Sequence, residues 1–311
     1  MKKVFVIGNG FDLDLGLKTR YIDFWNSNFM KKYNEGCYDG IIYYLNGKAK
    51  NDSSWFDIEN LIRLYSQKIE HGLQRVKRQE EIDLDREQFN TIRDCLAEYL
   101  EKEVSECNLK RVSCSSKVLK TVVDDGEFSI YNFNYTNLHT IASKLGINRN
   151  FSYNSVHGKA EDKSLILGID DKTEVQEGYD FVHKTFSPYY HSVPLKFDLE
   201  DAKEIVIFGL SMGDIDYPYF QDLFYNICNP ENRREQSKRI TIFTYDEKSR
   251  IDILRQLRTM NEKRVNYMYG QNDLSLIRTS VDEDKTKLYD FMKKLDDTSK
   301  KMKRMLNGGI V

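Results

Sequence analysis

Short apolar segments rich in β-branched and aromatic residues recur along the chain, and most of them end in Gly, Asn, Ser or Asp. The first runs from Val4 to Ile7 and stops at Gly8 and Gly10. Six more follow residue 126: FSIYNFNY, FSYNSVHG, SLILGID, EIVIFGLS, RITIFTY and VNYMYG. Runs of this length and composition are typical of buried strands. Each of these seven segments is therefore predicted to contain a strand.

Segments with apolar residues at helical spacing separate several of these runs. They include TNLHTIASKL, DYPYFQDLFYNI and SRIDILRQLRTM, and a Lys-rich amphipathic helix is predicted from Asp282 to about Leu306. Strands that alternate with helices indicate βαβ units. The predicted fold class is therefore α/β, with a Rossmann-like, mostly parallel sheet.

The region from residue 37 to 126 has no convincing strand pattern. WFDIENLIRLYSQKI, which Ser53 or Ser54 could cap, and DREQFNTIRDCLAEYLEKEVSEC both have helical spacing. The charge-mixed RVKRQEEIDLDRE between them is interpreted as a solvated connection. We expect a helical insertion over residues 37–126, after the first strand and a helical segment, in a core formed by residues 1–36 and 127–311.

Composition narrows the class of protein. The 311 residues include 49 acidic and 47 basic side chains, and this balance does not indicate a nucleic-acid partner. The apolar runs are too short to span a bilayer, and no signal-peptide pattern follows Met1, so a cytoplasmic protein without membrane contact is predicted. The five cysteines are scattered, with no C-x-x-C pair, and are expected to be reduced structural thiols.

Polar residues and glycines collect where the predicted strands end. If the strands are parallel, these ends share one edge of the sheet and the groups converge on the GNGFD turn. No single group decides the interpretation, but their convergence favours a ligand site. The strand-end residues are Gly8, Gly10, Asn132, Asn134, Thr136, Asn137, His157, Gly158, Gly209, Ser211, Gly213, Asp214 and Asp216.

Each of these signals also has a purely structural interpretation. Glycines permit tight turns, asparagines form turns through their side chains, and His157 could be a core histidine. Ser211 and Asp214 could cap a helix and occupy its first turn. The third glycine of the dinucleotide fingerprint and the P-loop Lys-Ser pair are both missing, and the other histidines lack metal-ligand spacing, so no metal is predicted. Packing and helix-capping roles are expected for Trp55, Phe56, Asp57 and Glu59.

Six motifs, taken in order, resemble the AbiH family of bacteriophage abortive-infection proteins: GNGFDLDLGLKTRYIDF, WFDIE, NFNYTN, VHG, LGID and FGLSMGDIDYPYF. The resemblance spans nearly the whole chain, and the first and last motifs are the most specific. That family is in turn distantly similar to sirtuin-like NAD-binding proteins. The resemblance implies a catalytic Asn134 and a catalytic His157, matching the asparagine of an N-Y motif and the histidine of an H-G motif. The implied cofactor-binding residues are Gly8, Asn9, Gly10, Phe11, Asp12, Gly209, Ser211 and Asp216.

The chain also departs from the sirtuin pattern. The first turn is GNG-FD instead of Gly-Ala-Gly followed by serine, and Thr136 stands where an aspartate commonly follows N-Y. The cysteine pairs of the sirtuin zinc module are missing, which disfavours a protein deacylase. Sirtuin-like defence proteins without that module commonly consume NAD, so the resemblance implies NAD as substrate or ligand.

Cleavage of the nicotinamide–ribose bond expels a neutral leaving group and needs no general acid. Asn134 is expected to orient a water or ribose hydroxyl, and neutral His157 to accept a proton, with Asp12 or Asp216 orienting the imidazole or binding a ribose diol. A nucleotide-binding sensor without catalysis remains an alternative. A hydrolase with a metal on Asp214 and Asp216 is another. The expected partners are a nucleotide, a phage-derived trigger and, through the C-terminal helix, a second copy of the chain.

Overall fold

A computed structural model describes residues 2–51, 56–68, 77–213, 215–229 and 237–307. Six strands and thirteen α-helices lie within these ranges. The strands are β1 (Lys3–Ile7), β2 (Phe128–Asn132), β3 (Asn154–Ser155), β4 (Glu204–Phe208), β5 (Arg239–Thr244) and β6 (Asp273–Arg278).

Seven helices lie between β1 and β2, one follows β2, and the others alternate with the later strands or end the chain. In chain order they are α1 (Asn9–Leu15), α2 (Tyr21–Trp25), α3 (Asn28–Asn34), α4 (Gly40–Asn51), α5 (Ile58–Ser66), α6 (Gln79–Glu106), α7 (Cys114–Asp125), α8 (Leu138–Lys144), α9 (Leu195–Asp201), α10 (Tyr217–Asn226), α11 (Glu247–Met260), α12 (Val265–Gln271) and α13 (Lys285–Asn307).

All six strands are parallel and form one sheet in the order β3-β2-β1-β4-β5-β6. This is the strand order of a doubly wound, Rossmann-like sheet, in which the order reverses between the first and fourth strands. Ile7 at the end of β1 pairs with Asn132 of β2 on one side and with Phe208 of β4 on the other. The predicted fold class is confirmed.

The central strand β1 is buried on both faces, which explains its continuous apolar sequence. Val4 and Val6 pack in one cluster with α9, α10, α11 and α12. Phe5 and Ile7 point to the opposite face and pack with α1, α7, α8 and α13. The sheet is thus the middle of three layers. Because both of its faces are covered by helices, a ligand site is expected at the ends of the strands.

A third apolar cluster combines α2 to α6 with the segment that follows His157. Trp25 packs on Phe56 with ring centroids 5.4 Å apart, and Leu165 and Tyr179 lie fully buried in the same cluster. Tyr135, three residues after the end of β2, also belongs to it. The helical cluster therefore meets the sheet at the carboxyl ends of the strands. The predicted division into residues 37–126 and a core stays a prediction.

Two strand predictions were wrong. SLILGID forms no strand. Its apolar residues Leu165, Leu167 and Ile169 instead pack in the helical cluster. VNYMYG forms α12, with Met268 buried and Tyr267 exposed. The last strand is instead β6, directly after it. FSYNSVHG contributes only the two residues of β3.

The connection predicted in RVKRQEEIDLDRE was also wrong beyond residue 78, because α6 begins at Gln79. Ile82 and Asp85 are buried there, and Lys77 forms an ion pair of 2.9 Å with Asp85. Helix α5 begins after Asp57, whose carboxylate accepts the Asn60 N–H; the proposed caps Ser53 and Ser54 lie outside the described residues. No helix in the described ranges is long and apolar enough to cross a membrane.

Candidate functional site at the carboxyl edge of the sheet

Asn134 and His157 lie at the same level on neighbouring strands. Asn132 of β2 pairs with Ser155 of β3, and the Val156 N–H donates to the Asn132 carbonyl at 2.8 Å. Asn134 and His157 each follow that pair by two residues, and both are buried. The Asn134 side chain bonds to the Gly8 carbonyl, whereas the His157 side chain contacts Asp216. The polar groups at this edge of the sheet therefore form two neighbouring halves, one around each residue.

The Asn134 half joins the end of β2 to the first turn of the chain. Asn134 Nδ2 donates to the Gly8 carbonyl at 3.0 Å, and its backbone N–H donates to Asn132 Oδ1 at 3.1 Å. Beside it, Thr136 Oγ1 donates to Asp12 Oδ2 at 2.8 Å. The threonine that departs from the sirtuin pattern thus holds the aspartate of the GNGFD turn.

Asp12 is a buried carboxyl group with an unusual proton affinity. It is 1% exposed, and its Oδ1 has no hydrogen-bond donor among the described residues. Burial raises the pKa of Asp12 from 3.8 to about 7, and the neighbouring Thr136 and Asn134 side chains hold it down in part. Near neutral pH this carboxyl therefore exists in both protonation states. Perturbed groups of this kind are frequent in functional sites.

The second half is a His157–Asp216 pair. His157 Nε2 lies 3.3 Å from Asp216 Oδ1. Three aromatic rings surround the imidazole, with centroids at 5.3 Å for Phe133, 6.4 Å for Tyr135 and 6.3 Å for Tyr219. Asp216 precedes α10 without capping it through its side chain, so its carboxylate is directed to the histidine. Of the two orienting residues considered from sequence, Asp216 contacts His157 and Asp12 contacts Thr136.

The imidazole is held in its neutral form. Burial lowers the pKa of His157 from 6.5, and the charge of Lys184 lowers it further, while Asp216 acts in the opposite direction. A neutral imidazole near pH 7 accepts a proton from a water or hydroxyl. His157 thus has the protonation state of a general base, with a carboxylate to stabilise the imidazolium that forms.

Sequence reasoning missed an ion pair at this edge. Lys184 Nζ lies 3.2 Å from Glu59 Oε1, although the pair is not aligned as a hydrogen bond. Glu59 comes from the first turn of α5, where a packing or helix-capping role was expected, and Lys184 from a short 3₁₀ turn at Lys184–Phe186. Burial raises the pKa of Glu59, and Lys184 opposes this most strongly. The WFDIE motif was the only signal for Glu59, and none pointed to Lys184.

The glycines of the first turn serve a close contact between two loops. The Gly10 N–H donates to the Gly209 carbonyl at 2.8 Å, and a Cβ at Gly10 would lie 2.7 Å from Gly209 Cα. A Cβ at Gly8 would lie 2.6 Å from Leu210 Cα. The β1–α1 turn and the loop after β4 therefore touch through backbone. The Gly10 N–H is already bonded, which removes it as a donor to a phosphate.

The remaining predicted residues are dispersed around this contact. Asn9 Oδ1 accepts the Thr19 hydroxyl at 2.5 Å, and Phe11 is fully buried against Phe208. Ser211 is exposed and does not begin α10. Asp214, Trp55 and His71 lie outside the described residues. Outside the predicted list, Asp14 accepts the N–H and hydroxyl of Ser115 at the start of α7.

Two surface cavities lie away from this edge. One of about 400 Å³ is bounded by β6 and α11, and includes Arg250 and Arg278. The other, of about 750 Å³, lies beside α3 and α4 and includes Tyr38, Tyr43 and Lys48. Neither contains a predicted site residue. No group of three or more His, Cys, Asp or Glu side chains in the described ranges is arranged to hold a metal.

The doubly wound parallel sheet, with a polar cluster across the ends of its central strands, defines an α/β protein with a Rossmann-like fold. A model of the family described as "Bacteriophage abortive infection AbiH" matches residues 4–237. The chain belongs to this family, which is one of abortive infection against bacteriophage. No curated protein matches the chain, and no solved structure matches it.

Proposed function

We propose that this AbiH protein binds NAD and hydrolyses its nicotinamide–ribose bond during abortive infection. The observation that supports this most directly is the buried, neutral His157, which is paired with Asp216 and level with Asn134 at the carboxyl edge of the sheet. Ligands of doubly wound sheets bind at this edge. The choice of NAD as the specific nucleotide rests on the resemblance of the strand-end motifs, in sequence alone, to those of sirtuin-like proteins.

The chemistry of the edge fits the nicotinamide end of NAD. Bond cleavage leaves positive charge on the ribose, and transition states of this kind are stabilised by nearby carboxylates. Asp216 supplies such a group. His157 is positioned to take the proton of the attacking water and Asn134 to hold a hydroxyl. The transition-state charge, rather than the leaving group, sets the requirements of the site.

The phosphate end of NAD is served less well by the first turn. The Gly10 N–H bonds to Gly209 and α1 has only seven residues, so a phosphate gains little from this helix terminus. Asn9 and Ser211, both exposed, are the polar groups that we assign to the remainder of the dinucleotide. The sirtuin-like phosphate contact through the Gly10 backbone is not part of this proposal.

The test is release of nicotinamide and ADP-ribose from NAD by the purified protein, alone and with lysate from phage-infected cells. We expect product from the wild type and a fall of about 100-fold or more in His157→Ala, since general-base catalysis contributes about 10²–10⁴-fold. His139→Ala is the matched control, because this exposed histidine packs on Phe151 and Tyr153 and not on Asp216.

Other outcomes identify the alternatives. NAD binding without product, measured by calorimetry, would indicate a nucleotide sensor; the internal bond from Asn134 to Gly8 is compatible with such a module. Activity lost on addition of a chelator would indicate the metal-dependent hydrolase. If the protein neither binds NAD nor releases product from it, a role for NAD is contradicted.

A further inference from the structure

We propose that Glu59, from the helices inserted between β1 and β2, is a substrate-binding residue of this edge that accepts hydrogen bonds from the vicinal hydroxyls of a ribose. This inference rests on the proposed function for the identity of the ligand. It assigns to the WFDIE motif a role beyond helix capping. Asp57 of the same motif does cap α5, whereas Glu59 turns away to the strand edge.

Within the described residues, the contacts of Glu59 use one of its two oxygens. Oε1 lies 3.2 Å from Lys184 Nζ, and accepts the Gly168 N–H at 3.2 Å and the Tyr135 hydroxyl at 3.4 Å. Oε2 has no hydrogen-bond donor among the described residues. The side chain keeps 12% of its surface exposed, so a ligand or water can reach it. A carboxylate oxygen with unused lone pairs at the rim of a site is an acceptor for hydroxyl donors.

A second buried carboxylate in the same helical cluster shows what a structural role looks like. Asp85 Oδ1 accepts the Ile41 N–H and the Tyr65 hydroxyl, and Oδ2 is bonded to Tyr65, Tyr179 and Lys77. Its side chain is 1% exposed. Both acids pair with a lysine, but Asp85 has its hydrogen-bonding capacity filled by protein. Glu59 does not.

Glu59 is connected to both halves of the edge through its neighbours. Tyr135, which donates to Glu59, directly follows Asn134 in the chain. Lys184, its ion-pair partner, is close enough to His157 to lower the pKa of the imidazole. A sugar held by Glu59 would therefore lie beside both residues assigned to catalysis.

Lys184 gives the carboxylate its function. Lys184 is buried, and its ammonium, apart from this ion pair, has no hydrogen-bond acceptor among the described residues. It opposes the effect of burial on Glu59 and so favours the ionised form, which accepts two hydroxyl bonds. The pair is also neutral overall, so it adds no net repulsion against the phosphates of a dinucleotide. Carboxylates bind ribose hydroxyls in the same way in other doubly wound proteins.

The test compares ADP-ribose with its counterpart lacking the hydroxyl at position 2 of the terminal ribose. Calorimetry measures the affinity of both ligands for the wild type, Glu59→Gln and Glu98→Gln. Glu98 is the matched control, because it forms an exposed ion pair with Lys163 at 3.4 Å. Since a hydrogen bond to a charged group is lost, we expect Glu59→Gln to weaken ADP-ribose binding about 10- to 100-fold.

The decisive readout is discrimination between the two ligands. The wild type and Glu98→Gln should prefer the ligand with both hydroxyls, and Glu59→Gln should lose that preference when it is assayed well below its thermal unfolding midpoint, which the uncompensated Lys184 lowers. A Glu59→Gln protein that still discriminates as the wild type does would overturn the assignment, as would a wild type that does not discriminate. Ribose-selective binding without nicotinamide release refutes hydrolysis but supports Glu59. Nicotinamide release by the wild type, with unchanged discrimination in Glu59→Gln, supports hydrolysis but refutes the role of Glu59.

Discussion

His157 Nε2 and Asp216 Oδ1 lie 3.3 Å apart, and this contact joins a residue after the third strand to one before the helix that follows the fourth. The segments meet only because both strands end at the same edge of the sheet. The pair combines an imidazole kept neutral by burial with a carboxylate that stabilises its protonated form. This is the arrangement of a general base with an orienting acid.

Replacement of Asp216 by asparagine should lower nicotinamide release and shift its pH dependence. Asp216 raises the pKa of His157, against the lowering by burial, so its removal lowers that pKa further. The acid limb of kcat/KM, where His157 loses its proton, should then move to lower pH, and the maximum should fall about 10- to 100-fold from lost orientation. A pH–rate profile measures both effects. A limb that stays in place would exclude His157 as the titrating base.

Asp12 should make the protein less stable as the pH rises. Its pKa is about 7 in the folded chain and near 3.8 when unfolded, so the folded state binds the proton more tightly. The stabilisation is complete below about pH 4 and is lost as the pH rises toward and through 7, on the order of 4 kcal/mol in total.

Urea unfolding of the wild type and Asp12→Asn between pH 4 and 8 measures this contribution. As the pH rises from 4 to 8, the unfolding free energy of the wild type should fall relative to that of Asp12→Asn. Parallel curves would show that Asp12 titrates normally in the folded chain. Thr136→Val, which removes the hydroxyl donor to Asp12, should extend the pH-dependent loss of stability to higher pH, because that bond lowers the pKa of Asp12.

Two helical glycines should respond oppositely to alanine. Gly10→Ala introduces a Cβ 2.7 Å from Gly209 Cα, which forces the two loops apart and should destabilise the protein by about 2–4 kcal/mol. Gly47→Ala, in α4, meets nothing within 4 Å and should stabilise by roughly 0.5–1 kcal/mol. Thermal unfolding distinguishes them. Equal effects would mean that the two loops can separate at Gly10 and Gly209 without a loss of unfolding free energy.

Removal of Lys184 should cost more than removal of the whole ion pair. Lys184→Met leaves Glu59 buried and uncompensated, and breaking such a pair costs about 3–5 kcal/mol. Adding Glu59→Gln should restore part of the loss, because no unpaired charge remains. Unfolding free energies of both single variants and the double variant give the coupling. Strict additivity would show that the two groups do not interact.

The sheet was largely predictable because β1, β4 and β5 are buried on both faces and therefore have continuous apolar sequences. Strand β6 was missed because it is an edge strand with polar residues among Leu274 and Leu276. Its neighbour α12 was taken for a strand because tyrosines are common in strands, although Tyr267 and Tyr269 are exposed on a helix. Edge elements are specified more by their surroundings than by local pattern.

The strand-end half of the site was predictable from sequence for a related reason. Asn134, His157 and Asp216 follow strands that the apolar runs locate, and parallel strands bring their ends together. Glu59 and Lys184 follow no strand. Their pairing depends on how the inserted helices and the segment after β3 share one apolar cluster, which involves contacts 125 residues apart in the chain (59 to 184). Local pattern does not contain that information.

The most direct test of an NAD-consuming effector is the NAD concentration in bacteria that express the protein, followed after phage infection. NAD should fall in cells with the wild type and stay constant in cells with His157→Ala, which should also lose protection from the phage. His139→Ala should behave as the wild type. Protection by the wild type with no fall in NAD would show that NAD consumption is not the basis of abortive infection by this protein.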